Sequence, residues 1–272
     1  MATKYGRLGI RTIAGTMVAA VPVAAACAQG PTYDQWAATD GAAGRINLDD
    51  VQQAFKNSES ATEFERKVNE IYEGDGLVLI RAKQDDAGLT LEGWEDLSDP
   101  ANHEIDDGVD DLLFTIVKND QGNNMRGYGS NGYYNRGFGG GDFLFTYLLI
   151  SSLSPRGYYY STPPGYARTT VKRQRDSYRQ GSRYKSQVSR NSKYFGNQKK
   201  FAGSGYASAG RNQSTARKTF QSRQQTTGKF KTSGTGVRSS WGARGRSSGG
   251  FRGGRGGFRG GGGGQRIIGP RG

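Results

Sequence analysis

Charge is laid out along this 272-residue chain in blocks of opposite sign, and any fold must accommodate them. Residues 31–120 carry 22 Asp/Glu against 7 Lys/Arg, a net charge of −15. Residues 121–272 carry 28 Lys/Arg against two acids, Asp142 and Asp176, a net charge of +26. Such blocks attract one another before any partner is considered, and the basic block also seeks polyanions. With 44 glycines and 33% hydrophobic residues, the chain cannot be packed core throughout. A single cysteine excludes an internal disulfide, and a single histidine, His103, excludes most zinc sites and most histidine-dependent nucleophilic chemistry.

Residues 1–28 read as a targeting segment. Lys4, Arg7 and Arg11 precede an uncharged run of small and apolar residues from Thr12 to Ala26. At about 15 residues the run suits a signal-peptide core better than a membrane span. Ala24-x-Ala26 and Ala26-x-Ala28 both satisfy the small-residue rule for signal-peptidase cleavage. Ala24-Ala25-Ala26-Cys27 also resembles the lipobox of bacterial lipoprotein precursors, with Ala24 where Leu is commoner. That resemblance implies lipidation of Cys27 and a membrane-anchored, extracytoplasmic protein. The three cations on one helical face are also compatible with an organellar presequence.

Residues 29–44 read as a tether and residues 45–120 as the part able to fold. Asn47 is placed to cap a helix carrying Leu48, Val51 and Phe55 on one face. Ser60 and Glu63 form a capping box, with Glu63 expected to reach the Ser60 amide. Phe64, Val68, Ile71 and Tyr72 follow at helical spacing, and Gly74 is expected to end that helix. Strands are predicted at 77–83, 89–94 and 112–117, the first two joined by a Gly88-containing turn. The expected module is therefore α+β: two helices, then a three-stranded antiparallel sheet. It is small enough that packing against a partner or a second copy is plausible. Between the second and third strands, Asp99, Asn102, Glu104, Asp106 and Asp107 resemble a degenerate calcium loop. The spacing departs from the EF-hand, with no Gly at position 6 and no Glu at position 12, so the expectation is a solvated acidic loop without metal, with His103 exposed on it.

Residues 121–142 read as a Gly/Tyr/Asn linker, and residues 143–153 as an isolated apolar segment. As a helix that segment spans about 17 Å, too short for a bilayer core of roughly 30 Å. It is left to pack on the module or to touch a membrane. Residues 154–272 read as a long, mostly disordered Gly/Arg/Tyr-rich tail. Its candidate polyanion contacts are Arg173, Arg175, Arg179, Arg183, Lys185, Arg190, Lys193, Lys199 and Lys200, then Phe251, Arg252, Arg255, Phe258 and Arg259. The last five lie in three Arg-Gly-Gly units that resemble the RGG boxes of RNA-binding proteins. Guanidinium forks suit phosphate and aromatic rings suit stacking.

No catalytic set emerges, because the paired carboxylates of residues 95–111 come with no readable cleft, and no cofactor is implied. The expected function is that of an exported, non-catalytic cell-envelope protein. It would be anchored by lipid at Cys27 and would bind an anionic envelope polymer or lipid head groups through its tail. An RNA-binding protein and a self-associating matrix protein are the alternatives.

Overall fold

A computed structural model describes residues 32–85, 88–120, 122–151 and 158–231. The targeting segment with Cys27, and the segment with Phe251, Arg252, Arg255, Phe258 and Arg259, lie outside the described residues.

Helices α1 (Tyr33–Ala37), α2 (Leu48–Lys56) and α3 (Ala61–Ile71) precede strands β1 (Val78–Asp85), β2 (Gly88–Glu95) and β3 (Asp111–Asn119). Asn47 caps α2 by accepting the Asp50 amide at 3.1 Å, and Ser60 caps α3 by accepting the Glu63 amide at 3.2 Å. The Glu63 carboxylate reaches the Glu59 amide rather than that of Ser60, at 2.9 Å. Helix α3 ends at Ile71, three residues before Gly74, because Tyr72 turns to extended geometry (φ −75°, ψ 129°) to bury its ring. Gly88, at φ 115°, closes the β1–β2 turn in a conformation that favours glycine.

The sheet is antiparallel and has six strands, in the order β5-β4-β3-β2-β1-β6, rather than the three expected. The expected linker supplies β4 (Gly122–Gly127) and β5 (Asn135–Phe138). A ladder needs backbone amides more than apolar side chains. Met125 and Phe138 suffice to carry this Asn/Gly stretch onto the core, Phe138 meeting Phe55 at 5.7 Å. The expected tether likewise folds: Trp36 of α1 is fully buried against Phe220 and Phe230.

The main core lies between α2, α3 and one face of the sheet, with Phe55, Phe64, Val68, Ile80, Leu91, Phe114 and Ile116 buried in it. The apolar segment forms α4 (Asp142–Ser151), and of its two readings the packed one is observed. Leu144, Phe145 and Leu148 enter this core, while Phe143 and Tyr147 stay exposed. Among the described residues no helix is long and apolar enough to cross a membrane.

The largest difference from expectation is in residues 158–231, which are folded onto the module. Strand β6 (Tyr158–Ser161) pairs with β1. A short helix, α5 (Pro164–Tyr166), runs through a π-helical turn (Ala167–Val171) into α6 (Lys172–Gln180). Helices α7 (Ser182–Phe201), α8 (Gly203–Arg211) and α9 (Thr215–Thr227) complete a basic layer beside the acidic module. Helix α7 buries Tyr184, Gln187, Val188, Asn191, Tyr194, Phe195 and Gln198, a stripe with helical period in which rings and amides outnumber the single aliphatic side chain, Val188.

Candidate anionic-surface interface

The basic layer has two chemically distinct sides. On the inner side, arginines hold the module. Arg217 of α9 is fully buried between two carboxylates. Its Nη2 pairs with Glu95, and its Nε donates to Asp111 Oδ2 at 2.9 Å. Tyr72 donates its hydroxyl to the same Glu95 carboxylate, and the Gly76 amide donates to its other oxygen at 2.8 Å. Ser214 caps α9 and donates to Asp111 Oδ1 at 2.6 Å. Burial disfavours the Arg217 cation, but Glu95 and Asp111 outweigh it and raise its pKa well above the usual arginine value. Burial raises the Glu95 carboxyl, against the pull of Arg217, Tyr72 and the Gly76 amide. Gly44 makes room for this arginine: at φ 70° its backbone lies so close that an added Cβ would sit 2.4 Å from Arg217 Nη2.

Two predicted polyanion contacts, Arg175 and Arg179, belong to this inner side. Arg179 donates to the carbonyls of Tyr72 and Gly74 at 2.8 and 2.9 Å. Arg175 is buried and donates to the carbonyls of Gly76 and Asp75. Together they cover the carbonyl-rich turn after α3, where a helix end favours cations. Burial, with Arg179 beside it, pushes Arg175 down to about 9. Arg190 is divided: its Nε lies 3.2 Å from Asp50 Oδ2, yet just over half of its side chain stays exposed (55%). Asn191 donates to the Ile71 carbonyl and to Glu73, both at 2.8 Å. Farther along, Arg223 reaches the Leu97 carbonyl, and Lys229 pairs with Asp99 at 2.6 Å.

The outer side is different. Arg173, Arg183, Lys185, Lys193, Lys199 and Lys200 are exposed as the sequence led us to expect, and Arg168, Arg211 and Lys218, which it did not single out, join them. Lys199 leans over the Tyr206 ring at 5.8 Å. Among the described residues none of these nine forms an ion pair with an acid, and Asp176 is the last acid in the chain. The buried contacts use arginine, whose planar fork serves several carbonyl or carboxylate oxygens at once, whereas the outer cations are four arginines and five lysines.

The acidic loop does not form the candidate calcium site. Asp99 faces Lys229 and Arg223, Asp107 faces Arg81, and Asn102 donates to Asp106 at 2.6 Å. Glu104 is exposed, and two further carboxylates cap the loop's own backbone. Asp96 accepts the Ser98 and His103 amides, and Asp110 accepts those of Leu97 and Asp106. Among the described residues no group of His, Cys, Asp and Glu is arranged to hold a metal ion. His103 is buried rather than exposed. It takes φ 61° so that its amide meets Asp96, and burial together with nearby Arg168, Arg175 and Lys172 lowers its pKa despite Asp96.

A cleft of about 270 Å³ opens along the seam, lined by Asp50, Asn57, Lys67, Glu70, Tyr178 and Arg190 among others. Its carboxylates are already engaged, Asp50 by Gln187 and Arg190 and Glu70 by Arg66. Glu65, the most perturbed carboxyl, is pushed up to about 8 by burial and is hydrogen-bonded by Thr162. Its side chain is wholly buried. No family model, curated protein or solved structure matches this chain.

Proposed function

We propose that the protein is an exported, non-catalytic cell-envelope protein whose basic helical layer binds an anionic polymer or surface, with Cys27 as its lipid attachment point. One observation carries the reading: the inner arginines are engaged by the module, whereas nine outer cations on α6–α9 and the turn before α6 have no acidic partner among the described residues. Close-set cations facing water attract phosphate, sulfate or carboxylate polymers and release counterions on contact, so binding weakens steeply with salt. The acidic module serves as the scaffold that holds these helices in place. The export half of the proposal rests on the basic start, the uncharged run and Ala24-Ala25-Ala26-Cys27.

The test is a salt titration of binding to long-chain inorganic polyphosphate, with Lys185, Lys193 and Lys200 replaced together by Gln. Affinity is expected to fall linearly on a log–log plot against salt, with a slope shallower by roughly two to three units in the variant. Salt-independent binding, or a variant that binds like the parent, contradicts the interface. For the export half, the intact mass of the native protein is expected to show a chain starting at a lipid-modified Cys27. A chain still starting at Met1 contradicts it.

A further inference from the structure

We infer that the turn joining α7 to α8 is a membrane-contacting foot, in which Phe201 inserts among the head groups of an anionic lipid bilayer while Lys193 and Lys200 contact lipid phosphate. The inference rests on the envelope reading above and narrows its anionic surface to lipid.

Phe201 is 83% exposed, well beyond the 60% of Phe143 and the 39% of Tyr147. A single exposed apolar residue is ordinary, but the setting of this one is not. On α7, Arg190, Lys193, Asn197 and Phe201 follow at i, i+3, i+7 and i+11, so the ring ends a stripe of solvated polar and cationic side chains. The turn beside it is open. A Cβ built on Gly196, Gly203 or Gly205 meets no atom within 4 Å, and Ser204 is exposed. The ring, exposed beside this open glycine turn, is free to enter a head-group layer. Residues 177–231 contain no acid, so the helices that form the tip bring only cations of their own to an anionic bilayer. An aromatic ring flanked by lysines is the chemistry of interfacial membrane contact. The exposed pair on α4 lacks it, because the neighbouring charges Asp142 and Lys118 pair with each other at 3.0 Å.

Position supplies a second, independent argument. Tyr206, five residues beyond Phe201, donates its hydroxyl to Asp40 at 2.8 Å, and its ring lies beneath Arg45. The tip is thus joined to the segment by which the chain enters the fold. Cys27 stands five residues before Thr32, so a lipid there cannot be more than about 18 Å of chain from the start of α1.

The test uses residues 28–272, the proposed mature chain without its lipid-bearing Cys27, which retains every described residue. It compares sedimentation with vesicles of phosphatidylglycerol and phosphatidylcholine against vesicles of phosphatidylcholine alone. Binding is expected only to the anionic vesicles. Phe201→Ala should lower the partition about tenfold, Phe201→Leu should restore most of it, and neither should change polyphosphate affinity or the melting temperature. Lys193→Gln with Lys200→Gln should weaken vesicle and polyphosphate binding alike, by about fivefold for each charge on the vesicles. Phe201→Ala binding vesicles as well as the parent overturns the inference. So does polyphosphate binding without vesicle binding, which leaves the proposed function standing. Loss of both takes down the proposed function as well, and preference for single-stranded RNA over anionic vesicles at equal salt overturns the membrane assignment.

Discussion

The acidic module, built on a sheet, and the basic layer, built of helices, are both buried at their contact, yet they are held by different physics. Within the module, Phe55, Phe64, Val68, Ile80, Leu91, Phe114 and Ile116 exclude water from one sheet face, a force that salt barely touches. Across the seam the aromatic cluster of Trp36, Tyr184, Phe220 and Phe230 contributes burial. Register there is set by Arg217 between Glu95 and Asp111, and by Arg175 and Arg179 on the turn after α3. A protein of this composition can thus gain structure from charge segregation once each buried charge has a partner at hydrogen-bond distance. The same segregation leaves the outer cations for something else.

The strongest way to break the comparison is to remove one partner from the seam. Arg217→Ala leaves Glu95 and Asp111 buried without a cation and is expected to cost about 3–5 kcal/mol in urea unfolding. Restoration of most of that stability by adding Glu95→Gln and Asp111→Asn would show that orphaned charge, rather than lost volume, causes the defect. Next in size, Gly44→Ala should cost about 1–3 kcal/mol, since the new methyl group meets the guanidinium and the backbone must leave φ 70°. An unchanged urea midpoint for Gly44→Ala would contradict the close approach.

Glu65 sharpens the comparison through pH. Its folded pKa is raised to about 8, so the native state holds a proton that the unfolded chain releases near 4.5. Stability from this group is fully present below about pH 4.5 and is lost progressively as pH rises to 8. Glu65→Gln should therefore melt increasingly above the parent protein from pH 5 to pH 8, judged by thermal midpoints. A constant difference across that range would refute the buried acid. His103 has the opposite sign: its lowered pKa means that its contribution is present above pH 6.5 and is lost on acidification. The smallest effect belongs to the outer side, where Lys185→Gln, Lys193→Gln or Lys200→Gln should each change stability by no more than about 0.5 kcal/mol.

How much of this was legible in the sequence followed the same division. Caps at Asn47 and Ser60, the apolar face of α3 and the apolar runs of β1–β3 are ordinary hydrophobic and capping signals, and all were readable. The basic layer was not, for a physical reason. The α7 stripe alternates Tyr184, Tyr194 and Phe195 with Gln187, Asn191 and Gln198, and a search for aliphatic periodicity passes over amides. Strand β4 has only Met125 to announce a core face, and α1 has Trp36 alone. Of the candidate site, six of the nine outward cations were found by charge, Arg168, Arg211 and Lys218 were passed over, and Arg175 and Arg179 were assigned to the wrong side. Counting charge does not reveal which arginine has a carbonyl-rich turn to cover. Arg217 and Phe201 lacked any local signal, one defined by residues more than a hundred positions away, the other by what does not surround it.

Hydrogen exchange of the full chain tests the central claim most directly, read on the amides of α7 from Tyr184 to Gln198 and compared with those of β2 and β3. The account predicts that α7 is protected to within about tenfold of the sheet, and that Arg217→Ala shortens the protection of α7 and α9 first. Exchange of α7 at the rate of a free peptide, with β2 and β3 still protected, would contradict a basic layer folded onto an acidic scaffold.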